Sequence, residues 1–329
     1  MKIVIMGSGA IGSLYGGLLS LAGEEVVLLI GRKPNVDAIN ERGLKIKGVL
    51  GEHTLPLNAT RSSEDIDAAD LVLITTKAYD AVEAARRLKH LAKKGTYFLV
   101  LQNGIGTEKK VAEVLQSRRV LRATTCMGAI MTGPGEVTVT GTGITEVGSH
   151  FPENQEIVEK VVTMMRDAGF DAISSENIEG VVWTKTIVNC GINPIGALTG
   201  MTNGEIYNDM RLRQLVINLV EETVHVAEAL GIELTTDDPV RYALGTAKAT
   251  SENINSMLQD IRCCKQTEID AITGEVIRLA KELGVDTPLS ESVYALVKAL
   301  ESKVTRLEKR EDKLIPLSVD EVERAITGT

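Results

Sequence analysis

The stretch KIVIMGSGAIGSLYGGLLSLAGEEVVLLI (Lys2–Ile30) decides the fold. It opens on a short apolar run, Lys2 to Met6, followed at once by G-S-G-A-I-G from Gly7 to Gly12. Leu14, Leu18, Leu19 and Leu21 then recur at helical spacing, Gly23 breaks the pattern, and Glu25 to Ile30 forms a second apolar run. Strand, glycine turn, helix, strand is the context in which a G-x-G-x-x-G signals dinucleotide binding. Glycines let the backbone approach a pyrophosphate, and the N-terminus of the helix offers it free N–H groups and partial positive charge. A tight turn with no ligand is the alternative reading.

The alternation continues outward. DLVLITTK (Asp70–Lys77) and TYFLVLQNG (Thr96–Gly104) read as buried strands, each followed by a helical pattern, and a further strand falls near Val120 to Met127. Continuous apolar strands between helices imply a parallel sheet covered on both faces. EVTVTGTGITEVG (Glu136–Gly148) alternates with period two around a glycine and reads as a β-hairpin. A helix near Glu153 to Asp167 and a strand near Phe170 to Ser174 close this half. Beyond Glu176 the pattern is helical, near 176–192, 205–230, 238–248, 253–283 (kinked or broken) and 289–308, and Ser318 with Glu321 caps a short last helix. The expected architecture is α/β: a Rossmann-type doubly wound sheet over residues 1–175, then an all-helical domain over residues 176–329.

Bulk properties limit the function. A chain of 329 residues is long for one core. The formal charge of −9 argues against a general nucleic-acid binder. No apolar run approaches the ~18 residues of a membrane span, and the start lacks a signal-peptide layout, so a cytoplasmic protein is expected. Cys126, Cys190, Cys263 and Cys264 have no C-x-x-C spacing and no histidine nearby, which leaves a metal site without support and favours reduced thiols.

In open α/β sheets ligands gather at the carboxyl ends of strands. Lys77 and Asn103 stand there, either as cofactor contacts or as ordinary solvated residues. After the second strand, where an NAD site usually carries an acidic residue, the chain has Gly31, Arg32 and Lys33. Two cations there suit the 2′-phosphate of NADP(H), or are simply surface charges. In the helical half, TKTIVNCGINP (Thr184–Pro194) spaces Lys185, Asn189 and Asn193 four residues apart. A step of four turns about 40° around a helix, so the three form one polar stripe in apolar surroundings. It is either a solvent-facing edge or the wall of a wet cleft.

In order along the chain, G-S-G-A-I-G, TTKAYD, LQNGIG, KTIVNCGINP, NGE and ENINSMLQDI…TEID resemble the ketopantoate reductase (2-dehydropantoate 2-reductase) family, over roughly Met1 to Lys303. The resemblance implies a Rossmann domain, a helical domain and an active site in the cleft between them. It implies reduction of 2-dehydropantoate to pantoate, usually with NADPH, on the route to pantothenate and coenzyme A. Gly7, Ser8, Gly9, Ala10, Ile11, Gly12 and Arg32 would hold the cofactor, Ala129 would line its site, and Lys77 and Asn103 would lie between cofactor and substrate. Lys185 resembles the family's proton donor. Asn189, Asn193, Asn203 and Ser256 match its substrate contacts, with Asn253 grouped beside them. Glu268 matches the acidic residue near the nicotinamide, where it would hold Lys185 charged and aimed. Gly31 intervenes before the arginine, a departure that bears on phosphate preference.

That ligand suits the stripe. An alkoxide forming at the C2 ketone needs a proton and a nearby positive charge, which an ammonium supplies. Amides can bind a carboxylate and a hydroxyl without adding charge. The rivals are another two-domain dehydrogenase acting on a hydroxy acid or polyol phosphate, and an NADP(H)-binding redox sensor. Asparagines in place of cations argue against a phosphate substrate, and a sensor has no need of a proton donor. The exposed faces of the second-half helices leave a homodimer open.

Overall fold

The computed structural model describes residues 1–309, so the expected cap at Ser318 and Glu321 lies outside the described residues. In chain order the first half comprises β1 (Lys2–Met6), α1 (Ala10–Leu21), β2 (Glu25–Leu29), α2 (Lys33–Arg42), β3 (Leu44–Gly48), β4 (His53–Leu55), β5 (Asn58–Thr60), β6 (Leu71–Ile74), α3 (Ala81–Arg87), α4 (Lys89–Ala92), β7 (Tyr97–Val100), α5 (Thr107–Leu115), β8 (Val120–Thr125), β9 (Gly128–Gly133), β10 (Glu136–Gly141), β11 (Thr145–Gly148), α6 (Gln155–Asp167) and β12 (Ala172–Ser174). The second half is helical: α7 (Ile178–Thr199), α8 (Asn203–Asn208), α9 (Met210–Ala229), α10 (Pro239–Ala249), α11 (Ser256–Arg262), α12 (Glu275–Leu283) and α13 (Pro288–Lys309). A π-helical segment at Asp270–Gly274 leads into α12.

The main sheet has eight strands in the order β12-β11-β8-β7-β6-β1-β2-β5. All its pairs are parallel except β8 with β11. Side chains along β1 alternate between two buried layers, Ile3 and Ile5 on one face and Val4 and Met6 on the other. That is why the strand reads as an unbroken apolar run. β1 lies between β2 and β6, so the chain reverses direction across the sheet beside the glycine turn, where open α/β sheets bind ligands.

Two expectations are corrected. Glu136–Gly148 is no hairpin: β10 pairs with β9 and β3 in a separate four-stranded sheet, whereas β11 pairs with β8 and β12 in the main one. The hairpin runs instead from β9 to β10, turning at Gly135 with φ +71°, and the apolar run after Val120 divides into β8 and β9. The helix expected to stop at Ile192 continues through Pro194 to Thr199, where Gly200 caps it in the left-handed region. A proline inside a helix costs about 3 kcal/mol. Here Ile195 and Ala197 beyond it are buried in the helical core, and burial of an isoleucine alone returns about 1.5–3 kcal/mol. The 205–230 pattern is broken as well, and the 253–283 pattern is broken as expected. Asp209 separates α8 from α9, and the stretch after Arg262 leaves the helix with Cys264 at φ +54°.

Candidate active site

The glycine turn assigns a different task to each glycine. A Cβ on Gly7, whose φ is +100°, would lie 2.6 Å from the Thr76 amide nitrogen. One on Gly12 would meet Thr75 Oγ1 at 2.4 Å and the Gly7 carbonyl at 2.7 Å. These two allow α1 to sit tightly on β1 and β6. Gly9 is different: it is exposed, and a Cβ there would meet nothing nearer than the Gly7 carbonyl at 4.0 Å. Gly9 also starts α1 without any side-chain cap, and Thr76 Oγ1 beside the turn is buried with no hydrogen-bond partner. Free N–H groups, an open cradle and an orphaned hydroxyl fit the pyrophosphate of a dinucleotide. Ser8 is buried, Ala10 and Ile11 are half-buried on the first turn of α1, and Ala129 is half-buried on β9.

At the end of β2, Arg32 is exposed and precedes α2. Lys33 is engaged with Asp37 at 2.7 Å, which leaves Arg32 as the freer of the two cations. Arg61, after β5, donates to the Gly31 carbonyl at 3.2 Å and so adds a cation that sequence reasoning missed. β5 is only three residues long, and nothing in its sequence announces that it flanks β2.

Four side chains from both halves converge at the ends of β6 and β7. Lys77 Nζ lies 2.6 Å from Asp260 Oδ2 and 3.6 Å from Glu268 Oε2. Asn103 Nδ2 donates to Glu268 Oε2 at 3.0 Å, and the Ala78 amide donates to Glu268 Oε1 at 3.0 Å. Burial works against the charge on Lys77, yet Glu268 and Asp260 hold its pKa above the usual lysine value. Burial pushes the Asp260 carboxyl up, with Lys77 opposing. Both signs agree with a partly desolvated cation shared by two buried acids, of which Asp260 resists ionising. Asp260 falls within the ENINSMLQDI motif without an assigned role, and its partner is 183 residues away.

Lys185 stands on α7, one polar stripe with Asn189 and the buried Asn193. Its ammonium donates to the Thr125 carbonyl at the carboxyl end of β8. Burial pushes its pKa below the usual lysine value, as does Arg122, against the opposing fields of Cys126, Glu268 and Glu146. Lys185 therefore rests on a backbone carbonyl, not on Glu268, whose oxygens are taken by Lys77, Asn103 and Ala78. Glu268 acts on Lys185 only through space, and Glu146 on β11, which sequence reading passed over, is a further carboxylate in that field.

Asn203 is buried, with Nδ2 on Thr250 Oγ1 at 2.9 Å and Oδ1 unpartnered. Its backbone amide donates to the Asn253 carbonyl at 3.0 Å, which ties the two segments together. The Asn253 and Ser256 side chains are exposed, while their neighbour Asn255 is buried and caps α11 through the Leu258 amide.

A doubly wound sheet with an open glycine turn, and a desolvated lysine brought to the same sheet edge by a helical domain, define a dinucleotide-binding oxidoreductase of two domains. Residues 3–151 match the family described as ketopantoate reductase PanE/ApbA, and residues 177–301 match its C-terminal counterpart. The chain belongs to the ketopantoate reductase family. It is 42% identical over 304 residues to a 2-dehydropantoate 2-reductase of Pyrococcus horikoshii, covering 92% of this chain and 98% of that one. Among solved structures, a PanE/ApbA family ketopantoate reductase from Ralstonia eutropha superimposes with a TM-score of 0.85 at 31% identity, over 93% of this chain and 100% of that chain. D-mandelate dehydrogenase, solved as a ternary complex with NADH and anilino(oxo)acetate, superimposes with a TM-score of 0.87 at 29% identity, over 93% and 100%.

Proposed function

We propose that this protein is a 2-dehydropantoate 2-reductase, an NADPH-dependent cytoplasmic enzyme that reduces the C2 ketone of ketopantoate to pantoate for pantothenate and coenzyme A synthesis. The observation that carries the mechanism is the Lys185 ammonium, desolvated and resting on the Thr125 carbonyl at the sheet edge that ends beside the glycine turn. NADPH, when bound, supplies the hydride. The turn from Gly7 to Gly12 binds the pyrophosphate, Arg32 with Arg61 receives the 2′-phosphate, and Ala129 lines the nucleotide site. Lys77 and Asn103 border both ligands, held by Glu268 and Asp260.

Lys185 binds the ketone oxygen, stabilises the negative charge that develops there and donates a proton to it; solvent then restores the ammonium. A pKa lowered by burial makes Lys185 a stronger acid, which suits this step. Asn189, Asn193 and Asn203 receive the carboxylate and hydroxyl of the substrate, and Asn253 and Ser256 close on it from α11 and its approach. In this reading the division between cofactor and substrate domains falls at residues 175/176. A homodimer would use exposed second-half residues such as Met210 and Leu296, and light scattering reports it.

A second reading is kept alive by the mandelate dehydrogenase likeness: the same lysine would serve a 2-oxo acid with a bulkier substituent and NADH. One assay separates them. NADPH and NADH oxidation are followed with ketopantoate, phenylglyoxylate, oxaloacetate and a triose phosphate. Preference for ketopantoate with NADPH supports the proposal; preference for phenylglyoxylate overturns the substrate, and for NADH the cofactor.

A further inference from the structure

β8 carries one charged side chain in an otherwise apolar and hydroxylic strand, VLRATT, and Arg122 is 1% exposed. Its hydrogen bonds all go to backbone carbonyls of one segment, the end of β7 and the turn that follows it. Nη1 donates to the Val100 carbonyl at 3.2 Å, and Nη2 donates to those of Gln102 at 2.7 Å and Gly104 at 2.9 Å. The last two flank Asn103, whose amide donates to Glu268 across the cleft. The same turn is pressed against the second half. Gly104 has φ +93°, a Cβ there would lie 2.2 Å from the Ala271 carbonyl, and the Ile105 amide donates to that carbonyl at 3.1 Å.

A buried guanidinium is costly unless compensated. Glu108 Oε2 on α5 lies 3.3 Å from Arg122 Nε, an ion pair in which neither atom makes a hydrogen bond, and its other oxygen meets His150 Nε2 at 2.9 Å. Against the upward pull of burial, His150 and Arg122 hold the Glu108 carboxyl below the usual range. Arginine suits this place because its planar fork reaches several carbonyls at once, while an ammonium is a point donor.

We propose that Arg122 is a positioning residue for the reaction: its fork, anchored by Glu108 and His150, fixes the Gln102–Gly104 turn so that Asn103 presents its amide to Glu268 and to the ligands. The inference rests on the function proposed above. Small misplacement of a positioned group can cost about a hundredfold in rate.

The test is a double-mutant cycle on kcat, run at a temperature where thermal melts show each variant folded. In the wild-type background Arg122→Met is expected to lower kcat about 10- to 100-fold. In an Asn103→Ala background the same change should cost about 3-fold or less, because the group it positions is gone. Arg122→Lys should resemble Arg122→Met, since charge is kept and the fork is lost. Equal losses in both backgrounds, full activity in Arg122→Lys, or a lower Tm with unchanged kcat would each overturn the proposal. If Arg122→Met does not fold, Glu108→Gln takes its place: a smaller loss that vanishes with Asn103→Ala supports the idea, and a loss equal in both backgrounds sinks it. Wild-type turnover of ketopantoate tests the underlying function separately. If that turnover is absent, the cycle is read in NADPH dissociation constants, where the same coupling is expected and additivity overturns the clamp.

Discussion

Lys185 is an ammonium that burial has made easier to deprotonate, held on a carbonyl that cannot neutralise it. Lys185→Ala should lower kcat about 10²–10⁴-fold while leaving the NADPH dissociation constant nearly unchanged, because the glycine turn lies on the other half of the molecule. Near-normal kcat at saturating NADPH would remove Lys185 from the mechanism. The sign of the pH effect follows from the lowered pKa. The acid form is lost as pH rises, so kcat should fall on the alkaline side, beginning below the usual lysine value. Glu146, Cys126, Glu268 and Arg122 all face this ammonium, the first three favouring its charge. Glu146→Gln should therefore move the alkaline limb to lower pH; an unmoved limb would separate Glu146 from Lys185. At the other end of the cofactor, Arg32→Ala should weaken NADPH about tenfold or more and NADH far less, since a charge-assisted hydrogen bond to a phosphate is lost. Equal losses would sink the 2′-phosphate assignment.

At the scale of elements, the turn between β1 and α1 makes two glycines predict opposite outcomes. Gly9→Val should fold normally and fail to bind NADPH, because its side chain enters open space where the pyrophosphate would lie. Gly12→Val should instead lower stability by about 1–3 kcal/mol or more, as its Cβ would press on Thr75 and the Gly7 carbonyl. Calorimetry and thermal melts on both variants check the pair, and similar behaviour would undo the distinction. The sequence shows why these elements were legible. β1, β6 and β7 are buried on both faces and leave unbroken apolar runs, and α1 has helical spacing between glycines. The first strands of the small sheet, LKIKG and HTL, were missed because they are short and interrupted by polar residues, and NAT at the edge of the main sheet was missed for the same reason. EVTVTGTGITEVG was misread because alternation marks strands without naming their partners. The passage of α7 through Pro194 is set by tertiary burial, which overrides local propensity. Arg61, Glu146 and Arg122 escaped notice, and Asp260 was given no role within its motif, for one reason: each matters through a neighbour distant in sequence, and their local patterns read as surface or strand.

The whole molecule is held at the cleft by charge as well as packing. Lys77 from the first half lies between Asp260 and Glu268 of the second, while Lys109 pairs with Glu179 and Lys110 with Glu275. The last two pairs have exposed lysines, and such contacts contribute little. Lys77 differs because its two acids are 11% and 7% exposed, so removing it leaves two poorly hydrated carboxylates facing each other. Asp260 already has a raised pKa with Lys77 present. A folded-state pKa above the unfolded one means that ionisation is harder in the fold, so stability is lost as pH rises through it and regained on protonation. Lys77→Met should therefore be destabilised more at pH 8 than at pH 5, because losing the cation that opposes burial raises the Asp260 carboxyl further and favours its protonation at the lower pH. Thermal unfolding of wild type and Lys77→Met at both pH values measures this, with Lys77→Met/Asp260→Asn as control. The second change should recover much of the pH 8 deficit by removing one of the repelling charges. A deficit independent of pH, or no recovery in the double variant, would mean that the halves are joined by packing alone and that the charges in the cleft serve only the ligands.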